Sequence, residues 1–172
     1  MEMAWTIDSR SGLNLPWQDA FSRELRVMNL PWKIRNAGHG HLEVKAPTQT
    51  SEDAAALLSQ TVEAAGRTAG LSLPAPSLQL KERNWLVGLK QELLLELDLS
   101  ALESLNELQI AVRLGEQASL RSLQSSPAVA SKNAKGELIW PLRIGVQNRL
   151  QWSQWRWSRL GLGSLAILAL LV

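Results

Sequence analysis

His39 and His41 are the two histidines of the 172-residue chain. Two positions apart in an extended segment, they would stand on one face and could offer two imidazoles to a metal ion. Two ligands do not make a site. Only Glu43 lies close enough in sequence to serve as a third, and cysteine is absent from the chain. The simpler reading is a pair of solvated turn residues between Gly38 and the strand that follows. The lack of cysteine also removes a thiolate nucleophile and a disulfide scaffold, and the lack of tyrosine removes one more general acid. Glu92, Glu96 and Asp98 alternate along one segment and could form an acidic docking face, although a solvated strand face is the simpler reading. No nucleophile elbow, phosphate-binding loop or dinucleotide fingerprint is present. These residues argue against an enzyme, and they identify no catalytic residue, no cofactor and no metal site.

The aromatic content carries more information. There are eight tryptophans, one phenylalanine and no tyrosine. Trp17, Trp32, Trp85 and Trp140 fall on apolar faces and read as core anchors, with a pocket for an apolar ligand as the alternative. Trp152, Trp155 and Trp157 interleave with Arg156 and Arg159 in the run QWSQWRWSR, directly before LGLGSLAILALLV. Tryptophan favours the headgroup level of a bilayer, where arginine can snorkel beside it. The net charge of +2 hides a gradient: all 16 acids precede residue 138, and residues 138–172 carry only Arg143, Arg149, Arg156 and Arg159. A nucleic-acid site would need several stacking platforms in a broader basic groove, so the sequence speaks against one. The thirteen residues from Leu160 would reach about 20 Å as a helix, short of the roughly 30 Å of a bilayer core. Such a run suggests a segment that continues past Val172; a strand or helix of a soluble core is the competing reading. Trp152, Trp155, Arg156, Trp157 and Arg159 are therefore the expected membrane-interface residues, with membrane lipids as their partner.

These residues need elements to position them. Trp17, Phe21, Leu25 and Met28 share one helical face behind Pro16, and Asn29-Leu30-Pro31 stops that helix. Alternation in 32–35 and 41–46 around a glycine-rich turn predicts a β-hairpin. Thr50 to Asp53 looks like a capped helix start. The stripe Ala54, Leu58, Val62, Ala65 and Ala69 follows, with Gly66 and Gly70 fraying the end. A second hairpin pairs Leu78–Lys81 with the long alternating run Trp85–Leu99, across a turn at 82–84. Residues 107–114 and 138–152 alternate again, with an interruption near 145–148 and Pro141 marking an edge or bulge. Residues 116–136 are polar and serine-rich and read as a long loop.

A composition of 45% hydrophobic and 20% charged residues suits one folded domain. Strands with one wet face and at most two helices imply an α+β fold. The expectation is one antiparallel sheet of roughly five to seven strands covered by one or two helices, with a C-terminal hydrophobic membrane segment. The domain division is 1–157 for the globular part, including the loop at 116–136, and 158–172 for the membrane anchor. The opening MEMAWTIDSR has an acid at position 2 and no apolar run, which implies either a cytoplasmic domain or a further segment upstream of Met1.

The run SLQLKERNWLVGLKQELLLELDLSAL, with ELIWPLRIGVQNRLQWSQWRWSRLGLGSLAILALL and the helix–hairpin–helix order of 17–69, resembles a family of uncharacterised cyanobacterial and plastid membrane proteins, domain of unknown function 3153. Members of that family usually begin with an apolar leader, of which this sequence has only a short remnant. The resemblance implies a thylakoid or plasma membrane setting and an accessory role in photosystem II or thylakoid complex assembly. It supplies no catalytic or cofactor residue. The resulting expectation is a non-enzymatic, membrane-anchored factor binding a membrane-protein partner such as a photosynthetic complex. The alternative is a lipid or pigment carrier at the membrane surface. Arginines beside the anchor favour a cytoplasmic domain, and the family's leader favours a lumenal or periplasmic one.

Overall fold

The computed structural model describes residues 2–9, 15–28, 31–36, 40–47, 51–85, 88–116 and 120–157. The chain runs through β1 (Glu2–Ser9), α1 (Leu15–Val27), β2 (Lys33–Asn36), β3 (His41–Pro47), α2 (Ser51–Ala69), β4 (Ser77–Trp85), β5 (Gly88–Asp98), a 3-10 helix (Ser100–Leu105), β6 (Leu108–Glu116), β7 (Leu120–Ser126), β8 (Ser131–Lys132), β9 (Glu137–Leu142) and β10 (Gln147–Trp157). The strands form two sheets. One has six strands in the order β2-β3-β1-β6-β9-β8, and the other has four, β4-β5-β10-β7. Every described pairing is antiparallel. The chain changes sheet after β3, β5, β6, β7 and β9, so neither sheet could form from one contiguous stretch.

Alternation sets the faces. Along β3 and β9 every second residue is buried, and β5 follows the same rule from Leu93 to Leu97. The buried side chains of both sheets join those of α1, α2 and the 3-10 helix in one hydrophobic cluster. Leu58, Val44, Leu138, Trp140 and Leu150 are fully enclosed there. Each such side chain stabilises the fold by about 1.5–3 kcal/mol relative to exposure. Phe21 and Leu25 seat α1, and Trp17 stacks on Phe21 with ring centres 5.1 Å apart. The indole N–H groups of Trp5, Trp17, Trp32, Trp140 and Trp152 are buried without a partner, so these rings serve by volume.

Two joints are built from particular residues. α2 ends at Gly70 with φ +69°: the Leu71 N–H donates to Gly66 O at 2.8 Å and the Gly70 N–H to Arg67 O at 3.0 Å. The two glycines predicted to fray the helix therefore close it, and a Cβ at Gly66 would lie 2.7 Å from Leu71 O. Between β9 and β10, the wholly buried Asn148 accepts from the Arg143 N–H at 2.7 Å and donates to Arg143 O at 2.8 Å and Val146 O at 3.1 Å. Gly145 and Val146 in turn bond Leu99 just past β5, which carries the pairing of β5 with β10 on into this turn.

The expectation of one sheet of five to seven strands finished by an apolar C-terminal helix does not hold. The described residues form ten strands in two sheets, and none of the described helices is long and apolar enough to cross a membrane. The segment 158–172, assigned to a membrane anchor, lies outside the described residues. The supposed loop at 116–136 contains β7 and β8. β7 is an edge strand with no fully buried position, so it lacks the apolar alternation that betrays a strand. β1 has no counterpart among the expected elements, although it lies near the centre of the larger sheet and buries Trp5 and Ile7. β4 extends through the residues read as a turn at 82–84 and pairs Trp85 with Gly88. Pro141 sits where β9 has only β6 beside it, because β8 reaches no further than Ile139; the missing N–H is harmless there.

Candidate functional site

The outer face of the four-stranded sheet is organised in rows across the strands. Cross-strand partners point to the same side. Arg83 pairs with Lys90 and Lys90 with Trp155. The register of β7 slips between Ser153 and Gln154, leaving Arg121 as an extra residue, and its guanidinium lies 5.4 Å from the centre of the Trp155 ring. The last row thus reads Arg83, Lys90, Trp155, Arg121. At about 4.8 Å between strands it is roughly 14 Å wide. The next row, Lys81, Glu92, Ser153 and Ser122, has one charge of each sign, and the third, Gln79, Leu94, Gln151 and Gln124, has none. Positive charge is therefore concentrated at one end of the sheet. The hydrogen bond and charge of Lys90 hold the Glu92 carboxyl below its ordinary value, with further help from Arg83 and Lys81.

Trp155 is held by shape as well as charge. Its ring covers Gly88, where a Cβ would come within 2.1 Å of Cζ2. Only glycine leaves room, so the ring is seated on bare backbone while part of it stays exposed. Behind this row the inner face turns polar: Gln154 donates to Gln91 at 2.6 Å, and Gln91 donates to Glu82.

The five expected interface residues divide. Trp155 is on the outer face. Trp152 has the opposite parity, is 3% exposed and belongs to the core. Arg156 and Trp157 are paired in β10 with Leu89 and Gly88, but their side chains, like Arg159 entirely, lie outside the described residues. Sequence reasoning missed Arg83, Lys90, Gly88 and Arg121. Nothing local could have joined them, because β4, β5, β7 and β10 span 81 positions of chain. Of the expected core anchors, Trp140 and Trp32 are buried and Trp17 packs against the core; the Trp85 side chain lies outside the described residues.

The remaining polar groups have structural partners. His41 Nδ1 bonds the Asp8 carboxylate across β3 and β1; His39 lies outside the described residues. Ser9, the nearest hydroxyl in sequence, points to the buried face and away from that pair. Burial raises the pKa of Glu43, but Lys45 at 3.3 Å and the Arg113 guanidinium outweigh it and hold the carboxyl below its ordinary value. Asp98 is lowered by its hydrogen bonds to Ser100, and Glu96 meets Arg149 at 3.5 Å. No group of three or more metal-ligating side chains occurs among the described residues. The cavity between the helices and the larger sheet, bounded by Trp5, Trp17, Phe21 and Ile110, holds about 30 Å³, the volume of a single water. An open groove of about 530 Å³ lies on the outer side of the larger sheet, over Asp8, Gln109, Ala111, Pro141 and Arg143.

The chain belongs to the family described as protein of unknown function DUF3153, whose model matches residues 1–172. No curated protein and no solved structure matches it.

Proposed function

We propose that this family member is a non-enzymatic accessory factor that works at a membrane surface by binding a protein partner, in the form of a photosystem II or thylakoid complex assembly factor of an oxygenic phototroph. The observation that carries the membrane part is the end of β10. There the strand leads towards the uncharged run of residues 160–172, beside a row that combines Trp155 with three cations. Residues of this kind suit the boundary between headgroups and water. A body held by that end would leave the 530 Å³ groove of the other sheet open to a partner. The non-enzymatic part is supported by the structural roles of the perturbed and buried polar groups: Asn148 closes a turn, Glu43 balances two cations and Gln18 ties α1 to Ile7 and Gly40. The cavity beneath the helices, at about 30 Å³, is too small for an acyl chain or a chlorin ring, which favours protein binding over a carrier role for that site.

The test is purification of the tagged full-length protein from native membranes, with mass spectrometry of what accompanies it. A membrane protein or photosynthetic complex recovered in constant ratio is the expected result. Recovery of all the protein in the supernatant after high-speed centrifugation without detergent would refute the membrane part.

A further inference from the structure

We infer that the row Arg83–Lys90–Trp155–Arg121 is a docking site for the anionic headgroups of a lipid bilayer. The inference rests on the membrane-surface reading above and gives it a ligand class and an address.

Four observations converge. Arg83 and Lys90 are direct cross-strand partners, and like charges in that relation destabilise a sheet unless an anion sits between them. Glu92 of the next row answers Lys90 at 2.5 Å and also acts on Arg83, but one carboxylate faces three cations and the row itself holds none. Second, Trp155 stands on the outer face of a sheet, whereas Trp152 of the same strand and Trp5 and Trp140 of the other sheet are buried in the core. Its indole is fixed over Gly88 and under the influence of Arg121, so a headgroup would meet a ring that is already ordered. Third, charge falls off across successive rows, which confines the attraction to one end of the sheet. Fourth, that is the end where β10 finishes at Trp157 opposite Gly88, and the sequence beyond it is apolar from Leu160 onward. A bilayer supplies both partners at once, phosphate for the cations and hydrocarbon for the terminal sequence. A single-stranded nucleic acid would want a series of stacking platforms along its path, and this described face offers one.

The experiment is flotation of the full chain with vesicles of pure phosphatidylcholine and with vesicles containing phosphatidylglycerol, at low and high salt. The wild type is expected to prefer the anionic vesicles, and to lose that preference at high salt because exposed charges are screened beyond about 8–10 Å. Arg121→Gln should lower partitioning to anionic vesicles about fivefold, and the triple change Arg83→Gln, Lys90→Gln, Arg121→Gln about a hundredfold, with binding to neutral vesicles unaltered. A triple change of equal charge at Arg23, Arg26 and Lys33, exposed residues of α1 and β2, should leave the preference nearly intact. Equal loss in both triple variants would overturn the site and leave only a net-charge effect. Binding to both vesicle types alike, unchanged by the row variant, would remove the docking site while membrane association stands. Binding to neither would remove both. Displacement of the protein from anionic vesicles by a stoichiometric single-stranded oligonucleotide would assign the row to nucleic acid and overturn the lipid.

Discussion

Replacing Gly88 by alanine tests how Trp155 is seated. The new Cβ would stand 2.1 Å from Cζ2, 2.3 Å from Cε2 and 2.7 Å from Nε1 of the ring. Carbon atoms in good contact are about 3.5–4.0 Å apart, so the ring must retreat by about 1.4 Å or more. Two responses are open to it. If the ring is held, the strain of overpacking should cost about 1–3 kcal/mol. If it swings outward, the Arg121 contact and the covering of Gly88 are lost, at about 1 kcal/mol. Without the clash, glycine to alanine in a strand should stabilise by about 0.4–1 kcal/mol. The sign of the effect therefore depends on Trp155 being present. Urea denaturation followed by far-ultraviolet circular dichroism, on wild type, Gly88→Ala, Trp155→Leu and the double variant, measures this coupling. Gly88→Ala should destabilise the wild type by about 1–3 kcal/mol and be neutral or stabilising in the Trp155→Leu background, a coupling of about 1.5–4 kcal/mol. An equal effect in both backgrounds would falsify the claim that the ring lies against the glycine.

Asn148→Ala should lower stability by about 1–2 kcal/mol in urea denaturation, because it leaves the Arg143 N–H and two carbonyls of a partly buried turn without their partner. Asn148→Asp should recover little, since the two donated bonds need the amide. Trp140→Ala, at a position with no exposure, should cost about 3–5 kcal/mol by the same assay, and Trp155→Ala distinctly less. Glu43 should make stability depend on pH. Its folded pKa is depressed, so its pairing with Lys45 and Arg113 stabilises fully above the unfolded value near 4.3 and is lost as pH falls through the folded one. The stability difference between wild type and Glu43→Gln, measured by denaturation at pH 6 and at pH 3, should therefore shrink at the lower pH. A constant difference would show that the carboxylate charge is irrelevant.

Local periodicity made much of the secondary structure legible. The face of α1 carrying Phe21 and Leu25, the hairpin of β2 and β3, and the buried parity of Leu93, Leu95 and Leu97 all follow from spacings of four or two. Trp152 and Trp155 are expected to share the interface on their common composition, whereas the pairing of β10 sets them on opposite faces of the strand. Strands without an apolar repeat stayed hidden: β7 is an edge with polar side chains on both faces, and β8 is two residues long. The partition into two sheets was hidden for another reason. Alternation says which side of a strand is buried, but the hydrogen-bonding edge looks the same for every neighbour, so pairing is decided by how the whole set of apolar faces closes over one core.

The amino-acid sequence alone determined the helices, the inward residues of most strands, the thin catalytic inventory and the charge gradient towards residue 172. Tertiary structure alone decided that Arg83, Lys90 and Arg121 stand in line with Trp155, and that Gly88 lies beneath its ring. The physical reason is that register and bulges are settled between segments distant along the chain, through backbone hydrogen bonds that carry no side-chain signature.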